Sequence, residues 1–401
     1  MSRGRTVLFV GMTESVHAAR WMRQTAALGF ERHVFPSAGL GLHPDLSDVT
    51  VHYLLAAPQP ERGLQCQPQL WPLSAGGWRA NRWRRDRLLA REYRDTKLRA
   101  RQLAHTISRL DPDLIHTLET QHAGYLALEA REQLGSQFPP WLHTPWGSDL
   151  YLFGRLQSHE PRIRKMLSLV DAYQPKSNRD AKLARDYGFQ GKIFAAIPGN
   201  GGFDVSAFGT LCSPVPPSQR KLIHLKGYQG WAGRALFALR ALYDIRSELT
   251  GFRIRVTSAT NEIVIAVELL RREHGLDIEV VPSVSHEEIM KLHGSARVSL
   301  GASISDGVPN SMLEAMAMGA FPIESRGSCA DEWFVDGCTG LIVDPEDTAG
   351  IGAALVRALR DDQLVDGAAA ANRHVIEERL NLQVIDRLAR DMYGSMLSAN
   401  N

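Results

Sequence analysis

Nowhere does this 401-residue sequence reach the ~18 consecutive apolar residues that a membrane-spanning helix needs. Any contact with a bilayer is therefore expected to be peripheral. Cysteine is scarce too: Cys66, Cys212, Cys329 and Cys338 form no C-x-x-C pair and no zinc-like spacing, which excludes a disulfide framework and a zinc ribbon. Reduced thiols, buried as small hydrophobes in a cytosolic protein, are the expectation. One-sided charge is missing as well, since 46 Lys and Arg stand against 44 acids, leaving a net charge of +2 and a pI near 8.3. No global field draws this chain to nucleic acid, and no nucleic-acid motif occurs. The apolar run at 6–10 follows a basic start but is too short for a secretion signal and runs straight into Gly11, so it reads as a first buried strand.

What is present is ordinary globular composition, 44% hydrophobic and 22% charged, at a length that suits two domains. Strand-like runs at 6–10, 113–118, 141–144, 171–176 and 192–197 alternate with helical patterns. After a proline-rich stretch at 212–218, a second series follows at 222–225, 252–257, 277–281, 296–300, 321–323 and 340–343. Strands alternating with helices imply two doubly wound α/β domains, whose ligands collect at the carboxyl ends of the strands. Ser285-His286-Glu287-Glu288 reads as a capping box opening one of the later helices. The final helical pattern, 375–396, has no strand after it. Asp111-Pro112-Asp113 spells a D-x-D, but it precedes its strand and is read as a turn.

The chain is organised around Ser305-Asp306-Gly307-Val308-Pro309-Asn310-Ser311-Met312-Leu313-Glu314-Ala315-Met316-Ala317-Met318-Gly319-Ala320-Phe321-Pro322. A strand, a turn rich in Gly and Pro, and a helix starting near Asn310 or Ser311 leave backbone N–H groups aimed outward at the positive end of a helix dipole. That favours an anion, with phosphate the obvious guest. Acids beside a phosphate site repel phosphate and suit hydroxyls attached to it, so Asp306 and Glu314 point to a ribose and a sugar. Lys226, at the end of the 222–225 strand, and Arg234, in the first turn of the next helix, are expected to converge on the same crevice and stabilise a departing diphosphate.

The stretch closely resembles the donor-site motif of retaining glycosyltransferase family 4, two acids with seven residues between them, the second opening Glu-Ala-Met-Ala-x-Gly before a Pro. Asp306 stands where the family usually has Glu, and Lys226 and Arg234 reverse the family's usual order of cations. The resemblance extends to Pro198-Gly199-Asn200-Gly201-Gly202-Phe203-Asp204, like the family's interdomain segment, and to Asp336-Gly337-Cys338-Thr339-Gly340. It implies a GT-B architecture: an N-terminal acceptor-side domain over 1–205, a donor-binding domain over 206–384, and a C-terminal helix of about 385–401 packed back on the first. Donor contacts carry over to Gly11, Val281, Pro282, Ser283, Val284, Asp306, Gly307, Val308, Pro309, Asn310, Ser311 and Glu314. The reacting groups would be met by Lys226, Arg234, Asp306 and His116. On the acceptor side stand Glu119, His122, Trp146 and Asp149.

The implied activity is transfer of a hexosyl or N-acetylhexosaminyl group, with retention, from a nucleotide diphosphate sugar to a hydroxyl acceptor in cell-surface polysaccharide or glycolipid synthesis. A UDP-sugar is favoured, with guanosine diphosphate mannose next. No cofactor or metal is expected, the nucleotide sugar being a co-substrate. A nucleotide-sugar 2-epimerase and an inactive nucleotide-binding partner subunit are the alternatives. Residues 78–101 hold ten basic residues, Arg99 among them, and Leu98 and Leu103 sit on an apolar stripe of the same segment. That pattern suits either a helix packed on its own domain or peripheral contact with the inner face of a membrane, where a lipid-linked acceptor would be met.

Overall fold

The computed structural model describes residues 4–38, 41–53, 65–68, 95–198 and 201–398. The chain divides into two compact units, Met1–Gly201 with Asp386–Asn401, and Gly202–Ile385.

Unit 1 is built on eight strands, β1 (Thr6–Gly11), β2 (Glu31–Pro36), β3 (Thr50–Tyr53), β4 (Gln65–Pro68), β5 (Leu114–Leu118), β6 (Trp141–Thr144), β7 (Ala172–Tyr173) and β8 (Lys192–Ile193). They lie in the order β4-β3-β2-β1-β5-β6-β7-β8, every pair parallel. Thr-Val-Leu-Phe-Val-Gly in β1 is buried throughout, which explains why it reads as an uninterrupted apolar run rather than an alternating one. The crossover helix Val16–Gln24 starts where the Ser15 hydroxyl accepts the His17 N–H at 3.2 Å. A 3₁₀ turn at Ala26–Leu28 then ends on Gly29, whose φ of 81° only a glycine adopts freely. The helix Leu382–Ser398 delivers Tyr393 to this unit, where its hydroxyl accepts the Trp21 indole N–H at 3.0 Å. Asp113 accepts the Thr6 N–H at 2.7 Å, so the D-x-D is a turn that pins β1.

Unit 2 contains β9 (Leu222–Lys226), β10 (Arg253–Thr257), β11 (Ile278–Val280), β12 (Val298–Leu300), β13 (Phe321–Ser325) and β14 (Leu341–Val343). Their order, β11-β10-β9-β12-β13-β14, is all parallel and reverses direction between β9 and β12. In such sheets that reversal leaves a crevice at the carboxyl ends, where ligands bind. The apolar core of this unit packs Ile223, Leu225, Ile254, Val256 and Leu300 against Leu239, Leu242 and Leu355 of the flanking helices. The capping box is present: Ser285 and Glu288 satisfy each other's backbone N–H groups at the start of the helix His286–Ser295.

Two sequence expectations fail on chemistry rather than on pattern. Cys338 is exposed and Cys212 half-exposed, so only Cys329 among the described thiols is the buried hydrophobe expected of all. Residues 78–94 of the basic segment lie outside the described residues. Within 95–101, Arg99 is buried, donates to the Pro36 carbonyl and lies 5.3 Å over the Phe35 ring, and Leu98 is 37% exposed, while Leu103, just beyond, is fully buried. Arg99 is thus a packing residue, not part of a solvated basic face, and Leu98 leaves the apolar stripe.

Candidate active site

At the reversal point of unit 2, β9 ends on Lys226 and the loop after β12 carries Ser305 to Pro309 into the helix Asn310–Ala317. No side chain caps this helix. Its N-cap is Pro309, and the Ser311 hydroxyl in its first turn is buried without a hydrogen-bond partner. A helix start left uncapped is a positive pole with backbone donors to spare. Lys226 holds the loop leading into it, its ammonium 2.9 Å from Asp306 Oδ2, while Asp306 Oδ1 accepts the Gly307 N–H at 2.8 Å. Burial alone would lower the lysine's pKa, but the Asp306 and Glu324 carboxylates outweigh it and hold the group cationic.

Glu314, midway along the same helix, is buried and accepts from His286 Nε2 at 2.8 Å, with His293 Nε2 at 3.8 Å on its other oxygen. His286 belongs to the first turn of its helix, just past the half-exposed to exposed loop Val281, Pro282, Ser283 and Val284. Arg234 precedes the helix Ala235–Asp244 as its N-cap and is held by Glu346 Oε1 at 2.5 Å and by the carbonyls of Gly230 and Gly233. The two cations expected to converge are therefore each held by a different acid, although the Arg234 N–H donates to the Ala302 carbonyl beside the same loop.

In unit 1 the corresponding reversal lies between β1 and β5. Gly11, expected to admit a ligand, is buried, and a Cβ there would meet the Leu118 Cβ at 3.3 Å, so its missing side chain serves the packing of β5 against β1. His116, expected to touch the reacting groups, is wholly buried within β5. Its Nδ1 pairs with the Tyr393 hydroxyl at 2.7 Å and its Nε2 with Thr144 Oγ1 at 2.9 Å. Burial holds its pKa well below the ordinary value, and no nitrogen is left for a substrate.

Glu119, Asp149 and His122 do come together. Glu119 adopts φ 85° and ψ 148°, a region costly for any residue with a side chain, and its carboxylate accepts the backbone N–H groups of Gln121, His122 and Ala123 at 2.5 to 3.2 Å. His122 Nδ1 sits 3.2 Å from the same carboxylate, whose hydrogen bond raises the imidazole's pKa, and the ring is more than half exposed. Asp149 is buried and accepts the Thr120 N–H at 2.8 Å; burial, then the Glu119 charge, pushes its carboxyl up to about 6. Trp146, half-buried, packs edge-on against His17 with ring centroids 5.4 Å apart.

Residues 222–361 match the family described as Glycosyl transferases group 1, and residues 74–173 match Glycosyl transferase 4-like. Together with the fold they support a glycosyltransferase of GT-B architecture. Sucrose-phosphate synthase from Thermosynechococcus elongatus superposes with a TM-score of 0.70 at 17% identity, covering 98% of this chain and 100% of the other. Anabaena HepE in complex with UDP and glucose gives 0.66 at 13%, covering 98% and 100%. A UDP-forming α,α-trehalose-phosphate synthase from Burkholderia xenovorans gives 0.66 at 15%, covering 99% of each chain. No curated protein matches the sequence.

Three groups at these strand ends escaped the sequence reading. His286 was legible in principle, because a capping box fixes the residue after Ser285 at the first helical position. Glu324 was signalled by an acid inside the otherwise apolar strand Phe-Pro-Ile-Glu-Ser. Lys176 follows β7 and is buried, with its pKa lowered by that burial to about 8. Nothing in its sequence neighbourhood marks it.

Proposed function

We propose that this chain transfers a sugar from a nucleotide diphosphate sugar, a UDP-sugar first, to a hydroxyl acceptor with retention of configuration, in the assembly of a cell-surface polysaccharide or glycolipid. The observation that carries the reading is the helix Asn310–Ala317, begun without a side-chain cap, with Lys226 paired to Asp306 in the loop before it and a buried, histidine-held Glu314 within it. The helix pole and Lys226 would take the diphosphate, whose charge grows as the bond to the sugar's anomeric carbon breaks. Glu314 would accept from the ribose hydroxyls, oriented by His286. Asp306 would accept from a sugar hydroxyl once Lys226 turns to phosphate. The acceptor oxygen would attack from the face the leaving group vacates and pass its proton to the departing phosphate oxygen. Arg234, drawn from Glu346, would add a second cation. On the other unit, the acid-rich cluster of Glu119, Asp149 and His122, with Trp146 nearby, suits a hydroxylated acceptor. The UDP named in the HepE and trehalose-phosphate synthase structures favours uridine as the base.

The test is a thermal-shift screen of nucleotide sugars, in which a ligand at 100 times its dissociation constant stabilises by about 2.7 kcal/mol. It is followed by product analysis with and without an added acceptor. Consumption of the donor without acceptor to give an epimerised sugar would replace transfer with 2-epimerisation. No stabilisation by any nucleotide or nucleotide sugar would remove the reading. Turnover is expected to survive a chelator; loss with EDTA and recovery with magnesium would refute fixed cations as the leaving-group partners. For the basic segment at 78–101, salt-sensitive binding to anionic but not neutral vesicles is expected, and equal binding to both would return it to its own domain.

A further inference from the structure

At the carboxyl ends of three neighbouring strands of unit 2 stand Lys226, the last residue of β9, Gly301, the residue after β12, and Glu324, the next-to-last residue of β13. Leu225 is in register with Leu300, and Leu300 with Ile323, so one residue on, Gly301 lies between the lysine and the acid. Its N–H donates to the Ile323 carbonyl at 2.9 Å, which keeps the pairing to that point. Residues level with one another across a sheet present their side chains on one face, and two strand spacings put the outer pair about 10 Å apart. Two long side chains can close that gap only over a residue that has none. Gly301 is such a residue: a Cβ there would stand 2.6 Å from Glu324 Oε2 and closer still to Oε1. The carboxylate therefore occupies the trough the glycine leaves, leaning toward Lys226. Glu324 is only 4% exposed, and a buried carboxylate is costly without a counter-charge. Lys226 supplies one while its ammonium also rests on Asp306.

We propose that Glu324 is a positioning residue for Lys226, sharing its ammonium with Asp306, and that binding of a nucleotide diphosphate sugar draws a proton onto this acid. The proposal rests on the reading of the helix start at Asn310 as the diphosphate site. With both acids ionised, the trio carries a net charge of −1 where a dianion must bind. With Glu324 protonated the trio is neutral, and the lysine can turn to phosphate while the acid still fills its trough. Burial and the Asp306 charge push the Glu324 carboxyl up, against the pull of Lys226, to about 7, so the exchange falls within reach of ordinary buffers. The charges that act on Glu324 are Lys226 on β9 and Asp306 in the loop after β12. Its strand partners Gly301 and Ile342 bring none, and neither do the helices Thr348–Arg360 and Asp362–Leu380 packed on β13. The half-buried Tyr228 phenol, near Lys226 and Asp306, has its pKa raised and stays neutral, while Glu314 on the helix Asn310–Ala317 is engaged by His286.

Isothermal titration with UDP-glucose and with guanosine diphosphate mannose, from about pH 6 to about pH 8.5 in two buffers of different ionisation heat, tests this. Both ligands are diphosphate diesters that exchange no proton in that window, so any proton taken up is the protein's. The wild type should take up a proton on binding, and its affinity should fall about tenfold as pH rises. Glu324→Gln should flatten both, keeping the wild-type affinity at the acid end. Glu324→Asp should restore the pH dependence in part, and Gly301→Ala, which displaces the carboxylate without removing a charge, should shift the profile. Binding by the wild type without proton uptake, or an unchanged pH slope in Glu324→Gln, overturns the role of Glu324 alone. Failure of both ligands to bind the wild type at every pH overturns the diphosphate site beneath it.

Discussion

The two units share a topology, a parallel sheet whose order reverses beside its first strand, yet they finish that reversal in opposite ways. In unit 1 the turn after β5 is closed by its own anion: the Glu119 carboxylate takes three backbone N–H groups that a bound phosphate would otherwise use. In unit 2 the helix after β12 has no capping side chain, and a lysine pairs with Asp306 in the loop before it. The difference teaches that topology offers an anion site at both places and side chains decide which stays open. A carboxylate tethered to the turn fills one, at the cost of a strained backbone at Glu119.

The sharpest way to break this contrast is to remove the cation from the open site. Lys226→Ala should lower turnover by about 10²-fold or more, the scale for losing one group that stabilises a transition state, and steady-state kinetics would show it. Asp149→Asn, at the closed turn, should leave nucleotide-sugar affinity unchanged. A comparable loss of donor affinity in both variants would erase the distinction between the units.

Acid should separate the units in stability as well. His52, His116 and His143 in unit 1, and His224 and His293 in unit 2, are buried with pKa values lowered well below the ordinary range by desolvation, to about 4 for His52 and about 3 for His143, His224 and His293. A folded-state pKa below the unfolded one gives stability that is present above the unfolded value of 6.5 and lost as pH falls toward the folded value. Each such histidine removes about 2 kcal/mol between pH 6.5 and about pH 5. Asp149 and Glu324 work the other way: with folded pKa values raised to about 6 and about 7, each regains stability as pH drops through that value. With those three histidines and the lowered His33 against the raised Asp149 and His122 in unit 1, and two histidines against the raised Glu324 in unit 2, unit 1 should open first on acidification. The margin is about 2 kcal/mol, read by hydrogen exchange resolved along the chain. Unit 2 opening first would contradict that balance.

Smaller effects refine the open site. Glu314→Gln should weaken donor binding by about 1.5 to 3 kcal/mol through loss of a charged hydrogen bond, measured by titration calorimetry. His286→Ala should cost less, about 0.2 to 1 kcal/mol, because the imidazole is partly exposed and only orients the acid. A larger loss from His286 than from Glu314 would reverse their roles.

Much of this arrangement was legible before any coordinates, and the exceptions have physical causes. Apolar runs marked the central strands and the Gly-Pro turn marked the helix at Asn310, because burial on both faces and a turn before a helix each demand a composition. The strands β3, Thr-Val-His-Tyr, and β4, Gln-Cys-Gln-Pro, toward the edge of the first sheet, went unread: each is only four residues long and mixes polar with apolar residues, too little for a run to stand out. β7 and β8 are shorter than their apolar stretches suggested, two residues each. In the site, Asp306 and Glu314 were visible as a spaced pair. The trough at Gly301 and the closed turn at Glu119 were not, since both depend on which residues lie level on separate strands or on a backbone angle that no spacing records.

The discontinuity of unit 1 has a consequence for the order in which the protein is made. Trp21 and His116 emerge early, but the tyrosine hydroxyl that pairs with both arrives with residue 393, after all of unit 2. At the usual rates of synthesis that interval is on the order of ten seconds or more. Unit 2, continuous in sequence, can close while the ribosome is still at work. The first unit to leave the ribosome is then the last to be finished, and through that interval a chaperone would find its half-built hydrophobic interior exposed.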